Sequence, residues 1–62
     1  MAQQLSDLEL QNLRHLIHGC DVTATKLSAY AAEATDTKVK NFFEKGAEGA
    51  KQNREQLVSF LG

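Results

Sequence analysis

The chain of 62 residues has no proline and no tryptophan, a single cysteine, and only four glycines. With proline missing and glycine confined to Gly19, Gly46, Gly49 and Gly62, the usual punctuation of loops is almost absent, and long uninterrupted helices are the natural reading. The lone Cys20 excludes both an intramolecular disulfide and a cysteine-rich zinc site, and an unpaired cysteine fits a reducing compartment. Net charge is nearly absent too, with seven Lys and Arg against eight Asp and Glu. That balance gives no basic field to attract nucleic acid or an anionic membrane. No stretch approaches the roughly 18 uninterrupted apolar residues of a membrane span. Residues 1–4 lack the basic segment and apolar run of a secretory leader, so the expected location is the cytoplasm.

A chain this short is expected to be one domain, 1–62, burying only about 60% of the surface that its unfolded form exposes. Small scaffolds compensate with disulfides, a structural metal or a partner chain. With one cysteine, a partner chain is the staple that remains.

Ser6-Asp7-Leu8-Glu9 is a helix start. The Ser6 hydroxyl can accept from the amide three residues on, Glu9 can reach back, and Asp7 complements the helix dipole. From there Leu10, Leu13, Ile17, Cys20, Ala24, Leu27, Ala31 and Ala34 recur at alternating steps of three and four, which lines one face of a helix over about 7–34. Ala34-Thr35-Asp36-Thr37 breaks the pattern, and Asp36 or Thr35 is a good N-cap for a second helix over about 36–61. There Val39, Phe43, Gly46, Ala50, Asn53, Leu57 and Phe60 repeat the spacing, with Phe42 and Leu61 widening the face.

Each helix would be about 40 Å long, and so short a connection makes the two antiparallel neighbours. Counted back from the turn, Ala31 should face Val39, Leu27 face Phe43, Ala24 face Gly46, Cys20 face Ala50, Ile17 face Asn53, Leu13 face Leu57 and Leu10 face Phe60. Leu16, Thr23 and Tyr30 on helix one, with Phe42, Gly49 and Gln56 on helix two, extend the apolar arcs past what one partner helix can cover. A patch of that kind usually marks an interface. The expected architecture is therefore an all-α antiparallel hairpin that dimerises into a four-helix bundle. Its core or dimer interface would be built from Leu13, Leu16, Ile17, Cys20, Ala24, Leu27, Phe42, Phe43, Ala50, Asn53, Leu57 and Phe60.

Chemical signals are few. His15 and His18 stand one turn apart and could grip a zinc or nickel ion, but both point away from the stripe and lack a third close ligand, so a solvated face is the stronger reading. Cys20 lies in the stripe, where a small buried hydrophobe is its commoner role, and no base is placed to activate it. Asn53 in an apolar stripe reads either as a buried amide that fixes helix register or as a partly exposed side chain. Gly46-Ala47-Glu48-Gly49-Ala50 lacks the spacing and trailing Lys-Ser or Lys-Thr of a phosphate loop. Lys38, Lys40, Glu44, Lys45, Glu48, Lys51, Arg54 and Glu55 form a solubilising outer face. No catalytic residue, metal ligand or cofactor is expected, and the chain is read as non-enzymatic.

The run Tyr30-Ala31-Ala32-Glu33-Ala34-Thr35-Asp36-Thr37-Lys38-Val39-Lys40-Asn41-Phe42-Phe43-Glu44-Lys45, followed by Ala47-Glu48 and Gln52-Asn53-Arg54-Glu55-Gln56-Leu57, resembles the first helix pair of the ferritin-like superfamily. It is similar in particular to the small ferritin-like proteins grouped with bacterial spore coat protein F. The likeness extends from about Leu13 to Leu61. Metal-binding members of that superfamily hold a di-iron centre with a mid-helix glutamate and a Glu-x-x-His. Here the corresponding stretches read His18-Gly19-Cys20-Asp21 and either Asn53-Arg54-Glu55-Gln56 or Glu48-Gly49-Ala50-Lys51. The resemblance thus implies half a bundle without the metal ligands. It also implies a structural role in a sporulation or coat layer, with a second copy as partner. The alternatives are a small helical regulator that docks onto a signalling protein through Leu5, Leu8 and Val22, and a degenerate ferritin-like metal-binding protein.

Overall fold

The computed structural model describes residues 5–62; the expectation about a leader concerns residues 1–4 and lies outside the described residues. Among the described residues there are two helices and no strand: α1 spans Asp7–Glu33 and α2 spans Thr37–Ser59. The first helix begins with a complete capping box. The Glu9 amide donates to Ser6 Oγ at 3.1 Å and the Ser6 amide donates to Glu9 Oε1 at 3.1 Å, so two of the helix's orphan donors are satisfied reciprocally.

The turn between the helices is built from extended backbone. Ala34 leaves the helix at φ −70° and ψ 132° as the C-cap, one residue before the expected end. Asp36, also extended, caps α2 by accepting the Val39 amide on Oδ1 at 3.0 Å. The far end of α2 stops at Ser59 rather than at 61. There Phe60 N–H donates to Leu57 O and Leu61 N–H to Val58 O, the tighter three-residue closure common at helix ends. Gly62 follows with φ +114°, a value that suits glycine.

The hairpin measures 46 × 19 × 10 Å, so it is two helices wide and one helix thick. A domain ordinarily needs a second layer to cover its apolar surface. Among the described residues the buried ones are Ala24, Ala31, Ala47 and Ala50, and no large side chain is fully buried. The whole chain exposes 5070 Å², where a compact monomer of 6.8 kDa would expose about 4,000 Å².

All the expected stripe positions of α1 turn toward α2. Ala24 and Ala31 are buried, and Leu10, Leu13, Ile17, Cys20, Leu27 and Ala34 are half-buried. The second helix is rotated relative to expectation. Ala50 is buried and Phe43, Gly46 and Leu57 are half-buried, but Val39, Asn53 and Phe60 are exposed, and Ala47, absent from the expected stripe, is buried. The facing pairs shift as well: the Leu27 side chain, expected opposite Phe43, lies over Gly46, with Cδ1 2.9 Å from where a Cβ on that glycine would stand. Helical side chains tilt toward their own N-terminus and cover the preceding turn, which moves Leu27 from the Phe43 level to the Gly46 level.

Candidate functional site

The two broad faces of the hairpin differ in chemistry. On one side the interhelix groove is lined by Ser28, Ala31 and Ala32 of α1 with Lys40, Glu44, Ala47, Glu48 and Lys51 of α2, and it continues past Asp21 and Thr25. Across this region Arg54 Nε donates to Asp21 Oδ1 at 2.6 Å, with both side chains about half exposed. A pair so open to solvent contributes at most about 1 kcal/mol. Asp21 and Glu48 therefore lie on a mixed-charge surface.

The opposite face is apolar. At one hundred degrees per residue, Leu16, Thr23 and Tyr30 turn off the α1 contact line to the same side as Phe42, Asn53 and Phe60 turn off the α2 line. Between them runs a groove of about 330 Å³ lined by His15, Leu16, Gly19, Cys20, Thr23, Ala50 and Asn53. Nothing stands within 4 Å of where a Cβ on Gly19 or Gly49 would sit, so both glycines face open space, Gly19 in the lining of this groove. Asn53 does not serve as a buried amide in a single hairpin; it is exposed at the edge of this groove.

Toward the turn the same face carries an aromatic staircase. Phe43 packs edge-on against Tyr30, with ring centroids 5.6 Å apart, and against Phe42 at 6.2 Å. Edge-to-face pairs of this kind contribute about 0.5–1.5 kcal/mol beyond area burial. Phe42 keeps this one aromatic contact while 73% of its surface is exposed. Leu16 at 53%, Tyr30 at 48% and Phe60 at 44% exposure lie on the same side.

The nucleophilic and metal-ligating residues do not converge. His15 and His18 are both exposed, and among the described residues no three His, Cys, Asp or Glu side chains come together as a metal site would require. Cys20 is free and half-buried in the α1 stripe. Among the described residues no helix is long and apolar enough to cross a membrane. The largest exposed apolar side chains of this side are Leu16, Tyr30, Phe42 and Phe60. Of the residues expected at a core or dimer interface, Ala24 and Ala50 meet between the helices. Leu13, Ile17, Cys20, Leu27, Phe43 and Leu57 flank that seam, while Leu16, Phe42, Asn53 and Phe60 face outward.

Taken by fold, the chain is an all-helical hairpin with one apolar and one charged face. No family model, curated protein or solved structure matches it.

Proposed function

We propose that this chain is a non-catalytic structural or protein-interaction hairpin that self-associates, apolar face to apolar face, into a four-helix bundle. The observation that carries the reading is the core of the single hairpin: among the described residues four alanines are buried and no larger side chain is. At about 25 cal/mol per Å² the alanines supply little, whereas covering Leu16, Tyr30, Phe42 and Phe60 with a second layer would supply about 1.5–3 kcal/mol for each large side chain removed from water.

The resemblance to the spore coat protein F group, from about Leu13 to Leu61, supports a setting in a sporulation or coat layer, assembled in the cytoplasm from a protein without metal or nucleic acid as partner. Leu8 and Val22 are exposed on α1 at 65% and 38% and lie outside the lining of the apolar groove, which favours as second reading a helical partner protein docking on the back of α1. The two readings separate in a melting experiment. Self-association makes the melting temperature rise with protein concentration. A melting temperature independent of concentration across two orders of magnitude contradicts it.

A further inference from the structure

We propose that the bundle is a two-fold dimer in which the turns lie at opposite ends, and that Phe42 and Tyr30 of each copy fill the glycine-lined groove of the other. The inference deepens the self-association proposed above and rests on it. The occupant is a second copy because the area fits. A face of 46 × 19 Å projects to about 870 Å², close to the roughly 800 Å² per partner of a stable interface.

The orientation follows from where bulk and hollow fall along the hairpin. Measured from the turn at 1.5 Å per residue, Tyr30 and Phe42 stand at about 8–10 Å, and the groove floor at Gly19, Cys20 and Ala50 at about 22–24 Å. A two-fold axis lying in the interface, crossing the helices at the level of Thr23 and Gly46, about 17 Å from the turn, exchanges these two levels. It sets α1 against α1 and α2 against α2, antiparallel. Phe42 then lies over Ala50 and Asn53 of the other copy, and Tyr30 over its Leu16 and Gly19. An axis along the hairpin would instead put both turns at one end. That arrangement sets Phe42 against Tyr30 and leaves groove facing groove, an unfilled space whose lining loses its dispersion contacts. The exposure of Phe42 and its edge-to-face contact with Phe43 suit a knob that enters a partner, since a ring has few rotatable bonds to order.

Residues on the axis face their own copies, so the geometry is read by one cysteine. In a Cys20→Ser background, Thr23→Cys places a thiol at the axis, where helices packed 8–10 Å apart bring facing Cα atoms within about 6 Å, inside disulfide range. Val22→Cys, turned off the interface, is the control. Under mild oxidation Thr23→Cys should cross-link into a covalent dimer at least about tenfold faster than the control, and Phe42→Ala should weaken dissociation constants at least about tenfold. A two-chain mass with Thr23→Cys no faster than the control, or with Phe42→Ala binding unchanged, overturns the opposed-turn geometry while self-association stands. A one-chain mass at every concentration overturns both.

Discussion

Leu27 Cδ1 lies 2.9 Å from the position that a Cβ on Gly46 would occupy, whereas the hollows at Gly19 and Gly49 have no atom within 4 Å. The three mid-helix glycines are thus two kinds. Replacing glycine by alanine in a helix interior gains about 1 kcal/mol, but at Gly46 part of that gain is offset because the Leu27 Cδ1 methyl, the far end of its side chain, must move aside. Thermal unfolding at low concentration should therefore show Gly49→Ala and Gly19→Ala more stable than Gly46→Ala. The dimer interface should reverse the preference at Gly19, because a methyl there fills space that Tyr30 of the other copy needs; sedimentation equilibrium reads the weaker association.

Leu27 also tests the contact line of α1. It is half-buried and packed over Gly46, so Leu27→Asp sets a charge in the seam at a cost of several kcal/mol. Far-ultraviolet circular dichroism should show the helices lost at room temperature. An unchanged melting temperature would place the seam elsewhere.

The capping box makes the start of α1 sensitive to acid. The Glu9 carboxylate accepts from the Ser6 amide and hydroxyl, and these bonds hold its pKa below the ordinary 4.5. A depressed carboxylate contributes stability that is fully present above its unfolded value and lost as pH falls through the folded one. Amide exchange or NMR should show the first turn of α1 loosening below about pH 4.5, an effect that Glu9→Gln abolishes. At the other cap, Asp36→Ala removes the acceptor of the Val39 amide and should cost about 1 kcal/mol, a fall of about 4–8 °C in melting temperature.

The apolar stripe of α1 was legible in the sequence because eight positions kept a strict three-four spacing, and every one of them turns toward α2. Both caps were legible because Ser6, Glu9 and Asp36 are types whose side chains bond the backbone at that distance. The stripe of α2 was less so. Periodicity treats Leu, Phe and Ala alike, but the residues buried between the helices are the small Ala24, Ala31, Ala47 and Ala50, and that choice rotates Asn53 and Phe60 outward, while Val39, on the same heading as half-buried Leu57, is exposed beside the turn. Ala47 sits among Lys45, Glu48 and Lys51 and gave no apolar signal. The groove was legible in part, since Cys20 and Ala50 were expected as a small facing layer, but the part that Gly19 and Thr23 line depends on which face the neighbouring helix presents.

The account depends on a single hairpin being too thin to shelter its own apolar face. Light scattering coupled to size exclusion, at tens of micromolar and above, tests it most directly. The expected mass is twice the 6.8 kDa of the chain. A stable, fully helical species of 6.8 kDa at the highest concentration reached would contradict it.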